Sequence, residues 1–389
     1  MSCFISINSW NYPGVIYQAE DSFLSIKGHL STDKHELKEA FSLVRNSAHP
    51  DSPHPQGGAV GYVTFEGNYR FEFFKKFQVH EEWPESPLWR SRKHIARSSE
   101  SSYYAPRSNL NPYIYTCLVE KAKDYIASGD IYQVNLAHIF STSAVAFPYL
   151  LFEELMKISP APGAAFLDFE DEIILSASPE LYFKINGNLI TTQPIKGTRP
   201  RDLADPVRDQ QHAYELLTSS KEIAELIMIT DLMRNDLGKI CKTGSVITPE
   251  LISLKSYSHV HHLVSTIEGE LMDDLSPVDI LQAIHPGGSI SGAPKKRAIE
   301  IIQELEPIPR KHYTGGIGYF AFNGDAAWSM AIRTLIQKDG QLSFGVGSGI
   351  TADSNPQAEF DETMHKAAGI LAAIETYHKK YASYSISRY

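Results

Sequence analysis

Short runs of alternating or aromatic residues dominate the first eighty positions of the chain. The runs FISI, GVIYQ, SFLSI, AVGYVTFEG and YRFEFFKKFQV are separated by Asn, Pro and Gly, which is typical of strands joined by turns. One interval, Lys34 to Asn46, instead has the apolar spacing of a helix. The stretch from Ala96 to Pro112 is rich in Ser, Asn and Pro and has no apolar period, so we predict a linker there.

Beyond this linker, helical and strand patterns follow one another in an irregular order. Helices are predicted over Pro112 to Ser128, Tyr149 to Ser159 and Ser219 to Gly238, and strands over IYQVNLAHIF, AAFLDF, EIILSAS and LYFKINGNLITTQPI. Because the regular strand–helix rhythm of a parallel sheet is missing, we expect an α+β fold. Its large, mostly antiparallel sheets should pack face to face with helices outside. Residues 1–110 are predicted to form a β-rich lead-in packed on a core of residues 111–380.

The composition excludes several classes of function. The chain has 389 residues, of which 42% are hydrophobic and 21% charged, and its net charge of −10 argues against a nucleic-acid binder. Three widely spaced cysteines predict neither a disulfide framework nor a zinc site and favour the reducing cytoplasm. No signal-peptide pattern opens the chain and no apolar run reaches the roughly 18 residues that span a bilayer, so we expect no membrane association.

An acid and an amine follow two strand patterns in the middle of the chain. Glu180 follows EIILSAS, and Lys196 follows NLITTQPI in a Pro/Gly turn with no other charge before Arg199. Hairpin-like strands would bring Glu180 and Lys196 together at the mouth of a sheet. A carboxyl group and an amine there are suited to proton transfer and nucleophilic attack. The alternative is that both are ordinary turn residues in water.

Two predicted helices carry carboxylates that could face one another. Ser219 and Glu222 fit a helix-capping box, which gives Glu222 a structural role, whereas Glu225 borders the apolar face without one. Glu362 lies on the later helix, four residues before Lys366. Glu225 and Glu362 could converge on a hard divalent cation such as Mg²⁺. Otherwise Glu225 is a solvated helix residue and Glu362 forms a surface ion pair with Lys366.

Cationic and glycine-rich segments add candidates for binding an anion. Arg333 is predicted to lie mid-strand among apolar neighbours, so its partner is either an internal carboxylate or a substrate carboxylate. Gly345, Gly347 and Gly349 leave room for the backbone to approach a ligand. The loop HPGGSISGAPK enters a helix, and its amides together with Lys295 are predicted to form an anion site.

From about Asn111 to Tyr377 the ordered motifs resemble those of the chorismate-utilising enzymes. These motifs are GDIYQVNLA, SPE, PIKGTRPR, KEIAELIMITDLMRNDLGK, HHLVSTIEG, GGSISGAPK, YTGGIGYF, AIRT and GVGSGITADSNPQAEFDETMHKA. The resemblance implies chorismate, a cyclohexadiene dicarboxylate, as substrate and Mg²⁺ as cofactor. The acidic chain would then gain the cation that an anionic substrate needs.

The resemblance also implies a role for each matching residue. It makes Glu225 and Glu362 the ligands of Mg²⁺ and Glu180 the general acid or base at the C4 hydroxyl. It assigns the remaining positions to substrate binding: Arg333 and Tyr313 at the enolpyruvyl carboxylate, Gly347 and Lys366 beside them, and Thr198 and His262 lining the pocket.

Two positions separate the reactions within this family. Isochorismate and salicylate synthases have a water-activating lysine where this chain has Gln133, and anthranilate synthases have alanine where it has Lys196. Lys196 resembles the lysine of aminodeoxychorismate synthase component I, which implies attack of its amine on C2 of chorismate. Ammonia would come from a separate glutamine amidotransferase subunit, and the product would serve 4-aminobenzoate and folate synthesis. The alternative is anthranilate synthase component I. A tryptophan site is not expected, because the lead-in lacks a clear match to one.

Overall fold

The structure, a computed structural model, describes residues 4–44, 54–83, 105–257 and 260–381. The strands in these ranges are β1 (Phe4–Asn8), β2 (Ile16–Glu20), β3 (Leu24–His29), β4 (Gly58–Val63), β5 (Asn68–Phe74), β6 (Gln78–His80), β7 (Arg107–Ser108), β8 (Gln133–Ser143), β9 (Gly163–Asp168), β10 (Glu172–Ser178), β11 (Leu181–Asn186), β12 (Leu189–Gln193), β13 (Ile195–Pro200), β14 (Ile247–Ser256), β15 (Val260–Glu270), β16 (Gly292–Ala293), β17 (Gly316–Ala321), β18 (Ala326–Met330), β19 (Thr334–Lys338) and β20 (Gln341–Ile350). The helices are α1 (Lys34–Val44), α2 (Pro112–Ala127), α3 (Pro148–Ile158), α4 (Pro206–Thr218), α5 (Ser220–Leu237), α6 (Pro277–Ile284), α7 (Lys295–Leu305) and α8 (Pro356–Tyr381).

The described strands form two ten-stranded sheets. The first sheet has the order β16-β8-β20-β19-β10-β9-β1-β2-β6, with β7 also paired to β8. The second has the order β13-β15-β12-β11-β18-β17-β4-β5-β3, with β14 also paired to β15. Neighbouring strands are antiparallel in both sheets, from β1–β2 to β17–β18. The α+β fold with mostly antiparallel sheets is therefore confirmed.

An apolar layer between the sheets joins them face to face. Ile5 and Leu167 from the first sheet and Val60 and Ile317 from the second belong to one buried cluster. The ring of Tyr17 meets the ring of Tyr319 edge-on at 5.4 Å, which suits the quadrupoles of two aromatic rings. Helices cover the outer faces of the sheets: α2, α3, α7 and α8 pack against strands of the first sheet, and α1, α4 and α5 pack against strands of the second.

The predicted lead-in supplies strands to both sheets. β1, β2 and β6 extend the first sheet through the pairing of β1 with β9. β3, β4 and β5 extend the second through the pairing of β4 with β17. Residues 96–104 of the predicted linker lie outside the described residues, while Arg107 and Ser108 form the short β7. The division of the chain at residue 110 stays a prediction.

The longer helices lie where the apolar periodicity predicts them. Asn111 caps α2 by accepting a hydrogen bond from the backbone N–H of Ile114 at 2.8 Å. On α5, Leu226, Ile229 and Met233 are buried on one face of the helix, as its apolar periodicity predicts.

Within the described residues, none of the helices combines the length and the apolar character needed to cross a lipid bilayer.

Candidate active site

A cavity of about 820 Å³ lies between the β13 end of the second sheet and strand β20 of the first. The start of α5 and the first turns of α8 complete its walls. The ten residues to which the family resemblance assigns a role all line this cavity, namely Glu180, Lys196, Thr198, Glu225, His262, Tyr313, Arg333, Gly347, Glu362 and Lys366. The fold therefore gathers residues from distant motifs into one place, while their individual roles stay predictions.

Lys196 lies inside a strand, so its predicted position in a turn is wrong. Strand β12 ends at Gln193, and Lys196 pairs with Leu263 in the following strand pairing of β13 with β15. The register shifts at Gly197, whose φ of +72° is a conformation that glycine adopts with little strain. A side chain at Gly197 would also collide with Leu216. The bulge therefore requires glycine beside the amine.

The amine of Lys196 is sheltered between α5 and β20. Its Nζ lies 3.9 Å from Oε2 of Glu225, and both side chains are only 13% exposed. A methyl group added to Gly349 of β20 would lie 3.6 Å from the same nitrogen and would collide with the amide of Gln133. The glycine-rich strand thus leaves the space in which the amine and a ligand can meet.

Glu180 reaches the same end of the sheet as Lys196 through the β11–β12 hairpin. Leu181 lies opposite Gln193 in that hairpin, so the residue before β11 and the residues after β12 are neighbours. The Ser289 hydroxyl donates a hydrogen bond of 2.6 Å to Oε1 of Glu180. Burial raises the pKa of Glu180, although this hydrogen bond and the charge of Lys196 partly oppose the change. A carboxyl group that keeps its proton more readily is suited to act as an acid.

Arg333 does not lie within a strand, contrary to the prediction, but in the bend between β18 and β19. Its φ of +48° is an uncommon left-handed conformation. Burial lowers the pKa of Arg333. Among the described residues, none forms a hydrogen bond or an ion pair with its guanidinium group. A partly buried cation of this kind favours an anionic ligand, because a lone charge is costly to remove from water.

Tyr313, Gly347 and Lys366 lie around the glycines of β20. The ring of Tyr313 packs directly over Gly345, where any side chain would overlap the ring. Burial raises the pKa of Tyr313, so its hydroxyl stays protonated and can donate a hydrogen bond at neutral pH. Lys366 donates a hydrogen bond of 3.0 Å to the carbonyl of Gly347 and lies 2.6 Å from Glu362.

Thr198 and His262 form a hydrogen-bonded pair on the second sheet. Oγ1 of Thr198 lies 3.0 Å from Nδ1 of His262, and the two residues are direct neighbours in the β13–β15 register. Burial lowers the pKa of His262 to about 4, so the ring is neutral at pH 7. Nε2 of His262 is buried and has no hydrogen-bond partner among the described residues, which leaves it available to a ligand.

Glu225 and Glu362 present carboxylates from two different helices. Burial raises the pKa of Glu225, whereas Lys366 lowers the pKa of Glu362 although burial opposes it. Both are hard oxygen donors, and two carboxylates plus water and substrate oxygens suit Mg²⁺. The described part of the chain has no group of three or more side chains arranged as ligands for a metal ion. The role of Glu225 and Glu362 as metal ligands therefore stays a prediction.

Sequence reasoning did not select two further cavity residues, Ser289 and Asn135. Ser289 belongs to the HPGGSISGAPK loop, whose sequence predicts anion binding by backbone amides. The sequence does not indicate that the Ser289 hydroxyl donates a hydrogen bond to Glu180. Asn135 belongs to GDIYQVNLA, and its Oδ1 is buried without a hydrogen-bond partner in the described ranges. Each lies within a quoted motif, but only the fold shows where its side chain lies.

Two predictions near the cavity are wrong in detail. Ser219 accepts a hydrogen bond from the Glu222 backbone at 3.4 Å, but the Glu222 carboxylate faces Arg199 at 3.8 Å and lines the cavity instead of completing a capping box. Lys295 does not form an anion site. It forms an ion pair with Asp236 and donates to the carbonyls of Ile284 and Pro286, so its three N–H groups are all used.

Comparisons with known proteins find relatives over most of this chain. Residues 96–372 match the family described as chorismate binding enzyme. Aminodeoxychorismate synthase component 1 of Bacillus subtilis is 44% identical over 380 residues, covering 86% of this chain and 80% of the relative. The Escherichia coli protein of the same name is 45% identical over 269 residues, covering 69% of this chain and 59% of the relative.

Anthranilate synthases show similar levels of identity. Anthranilate synthase component 1 of Synechocystis is 47% identical over 263 residues, covering 65% of this chain and 52% of the relative. The chain thus spans little more than half the length of several of these relatives. Overall identity therefore does not distinguish between the two names.

Solved structures share the whole fold. Anthranilate synthase component I from Streptococcus pneumoniae has a TM-score of 0.73 at 27% identity, covering 95% of this chain and 92% of that structure. A putative isochorismate synthase from Bacillus anthracis has a TM-score of 0.76 at 24% identity, covering 96% of each chain. The match over residues 96–372, together with the likeness to these enzymes, shows that the chain belongs to the family of chorismate-binding enzymes.

Proposed function

We propose that this protein aminates chorismate at C4 to give 4-amino-4-deoxychorismate. The observation that carries the proposal is the position of Lys196 in the cavity, with its amine 3.9 Å from Glu225 and Glu180 on the same wall. Relatives named aminodeoxychorismate synthase component 1, at 44% and 45% identity, support the same choice.

The cavity offers complementary groups to the two carboxylates of chorismate. Arg333 has no partner in the described structure and would bind the enolpyruvyl carboxylate with its guanidinium fork. The protonated Tyr313 hydroxyl would donate to the same group, and Lys366 would add positive charge beside Gly347. Thr198 and His262 would line the ring.

The residues Glu225 and Glu362 would hold Mg²⁺ against the ring carboxylate. The ion, when bound, supplies positive charge that offsets the carboxylate and orients the ring. Glu225 and Glu362 would hold one ion between them because they approach the cavity from two separate helices, α5 and α8.

The reaction then needs one nucleophile and one proton donor from the chain. The uncharged amine of Lys196 forms a bond to C2, the double bonds of the diene shift, and the C4–O bond breaks. Glu180 donates its proton to the departing hydroxyl, which leaves as water. Ammonia next forms a bond to C4, the bond from C2 to Lys196 breaks, and Glu180 takes one proton from the new ammonium group. The net change is chorismate plus ammonia to 4-amino-4-deoxychorismate plus water.

Ammonia would reach this site from a separate glutamine amidotransferase subunit. The name "component 1" carried by the relatives fits a protein that works with a second component. The product would need a lyase to become 4-aminobenzoate, a precursor of folate. We place the reaction in the cytoplasm, in keeping with the free thiols of Cys117 and Cys241.

Anthranilate synthesis is the second candidate, favoured by relatives such as the Synechocystis enzyme at 47% identity. That reaction places the amino group on C2 and releases pyruvate. The lysine at position 196 favours the first candidate, because an amine that occupies C2 directs ammonia to C4.

A product assay distinguishes the two candidates. The purified protein is incubated with chorismate, Mg²⁺ and ammonium, with and without an aminodeoxychorismate lyase. We expect 4-aminobenzoate only when the lyase is present. Fluorescent anthranilate formed without the lyase would show that the proposed product is wrong. Chorismate absorbance that stays constant for hours would show a protein that binds chorismate without converting it.

A further inference from the structure

Arg310 is a buried cation directly behind the wall of the cavity. It is only 3% exposed, and its guanidinium meets the Glu306 carboxylate at two points, with distances of 2.6 and 2.8 Å. It also donates to the carbonyls of Asn135 at 2.6 Å and Ile290 at 2.9 Å. A contact of 3.3 Å with the Thr314 hydroxyl completes the set. This one side chain therefore joins strand β8, the loop before β16 and the end of α7.

The Arg310–Glu306 pair fills a gap in the hydrogen bonding of β8. On one edge, β8 pairs with β16 at Gln133 and Val134 and with β7 at Phe140 and Ser141. Between these points the Asn135 carbonyl accepts from Arg310, and the Ala137 N–H donates to Glu306 at 2.9 Å. A buried backbone group without a partner is costly, so the ion pair takes the place of a missing strand.

The groups that Arg310 holds all belong to the cavity wall. Asn135 and Ile290 line the cavity, and Ile290 follows Ser289, whose hydroxyl donates to Glu180. The Arg310 guanidinium also lies 6.0 Å from the ring centre of Tyr313. Through the backbone of Ile290, Arg310 thus fixes the position from which Ser289 reaches the carboxyl group.

We propose that Arg310, held by Glu306, is a positioning residue for the reaction, because it anchors the Ser289–Ile290 loop so that the Ser289 hydroxyl stays on Glu180. The inference rests on the proposed function only in taking Glu180 as the proton donor. Arg310 touches no substrate and acts through Ser289.

The geometry requires an arginine rather than any cation. A guanidinium has five N–H donors in a planar fork and can bind a carboxylate and two carbonyls at once. Arg310 makes five polar contacts, whereas a lysine keeps the charge but has only three donors on a flexible stem, so it cannot make all five. Loosening a catalytic wall by about 1 Å can lower a rate by roughly a hundredfold.

The test compares Arg310→Lys with Ser289→Ala in the full-length protein, using the pH dependence of kcat with ammonium as nitrogen donor. Glu180 faces the charges of Lys196 and Lys366 and the hydroxyl of Tyr313, and these stay in place in both variants. Loss of the Ser289 hydrogen bond raises the pKa of Glu180 further, so the basic limb of the kcat profile moves to higher pH. We expect this movement in both variants, with kcat of Arg310→Lys lower by roughly tenfold or more.

The double variant decides whether the two residues act in one chain. If Arg310 acts through Ser289, the basic limb of the double variant should lie close to that of Ser289→Ala alone, because adding Arg310→Lys then removes nothing further. If the two single variants each move the basic limb of the kcat profile and the two movements add in the double variant, the inference is wrong. An Arg310→Lys profile identical to that of the wild type would also overturn the inference.

Arg70→Lys provides the matched control. Arg70 is a buried arginine paired with Glu72, and it does not line the cavity. We expect this variant to lose thermal stability while keeping the wild-type pH profile. If the basic limb of the kcat profile moves as far in Arg70→Lys as in Arg310→Lys, the effect comes from general destabilisation and the inference is wrong. Product identity is measured on the wild type, so a wrong product would contradict the proposed function while leaving the pH comparison intact.

Discussion

Arg70, which is buried, and Arg333, which is partly buried, are two arginines in opposite electrostatic situations. Arg70 lies on β5 and forms ion pairs with Glu72 at 2.9 Å and with Asp171, and it donates to the Phe169 carbonyl at 3.1 Å. Arg333 lies at the cavity, where no described side chain neutralises it. The protein therefore compensates the buried Arg70 internally, whereas the partly buried Arg333 has no such compensation within the described residues.

Buried carboxyl groups show the same contrast between the sheet interface and the cavity. Burial would raise the pKa of Glu172, but His312, Tyr62 and Lys338 together lower it to about 2. At the cavity, burial raises the pKa values of Glu180 and Glu225 despite nearby lysines. The scaffold carboxyl group is therefore stabilised in its charged form, whereas the two cavity carboxyl groups keep their protons more readily.

The largest effect is expected from Lys196→Ala. Without the amine no bond to C2 forms, so kcat should fall by about a thousandfold or more, as for other catalytic nucleophiles. Steady-state kinetics with chorismate and ammonium measures the change. Lys184→Ala, on β11 of the same sheet but outside the cavity, serves as control and should keep its activity. A Lys196→Ala enzyme with near-normal kcat would remove the amine from the mechanism.

Replacing each arginine by methionine tests the comparison directly. Arg333→Met should raise the KM for chorismate about a hundredfold, since a charged bidentate hydrogen bond is lost, while unfolding free energy changes by less than about 1 kcal/mol. Arg70→Met should lower the free energy of unfolding by about 3–5 kcal/mol, because Glu72 is left buried without its partner. Urea unfolding and kinetics measure both. A strongly destabilised Arg333→Met would mean that Arg333 is structural.

The carboxylates assigned to the metal should act together. Glu225→Gln and Glu362→Gln should each raise the Mg²⁺ concentration for half-maximal activity by about tenfold to a hundredfold, because an amide is a weaker ligand than a carboxylate. Glu375→Gln is the control: it lies on the same helix as Glu362 and pairs with Lys379 outside the cavity. An unchanged magnesium titration in either cavity variant would remove that residue from the proposed metal site.

The smallest effect concerns the pH dependence of stability. The pKa of Glu172 is lower in the folded protein than in the unfolded chain, so its stabilisation is complete above an unfolded pKa of about 4.3 and is lost as the pH falls towards about 2. As the pH falls from about 4.3 to about 2, we expect the free energy of unfolding to decrease less in Glu172→Gln than in the wild type. The difference between the two decreases should be about 3 kcal/mol at most. Acid unfolding followed by circular dichroism measures it. Identical acid profiles would show that Glu172 is not held in this way.

The periodic elements could be predicted from sequence because each depends on local patterns. The first long helix after the linker and α5 lie where apolar spacing and capping residues place them. The association of ten motif residues with one site could also be predicted, because the family motifs group them. The pairing of β13 with β15 joins residues sixty or more positions apart, so local sequence alone predicts a turn where the strand around Lys196 lies.

The errors share one physical cause, which is that side-chain partners depend on the tertiary fold. Lys295 looked like an anion ligand at a helix start, but Asp236 on a different helix takes its charge. Arg333 looked like a strand residue because its neighbours are apolar, yet the chain bends there with a positive φ. Ser289 gave no signal, since its relation to Glu180 spans 109 positions.

Intact-mass spectrometry of the wild-type protein with chorismate and Mg²⁺, but without ammonia, tests the central claim most directly. The claim is that the Lys196 amine attacks the ring before ammonia does. We predict a covalent increment equal to chorismate less one water, located at Lys196 by peptide mapping and absent from Lys196→Ala. A wild-type protein that consumes chorismate when ammonium is added, yet carries no increment in its absence, would contradict the account.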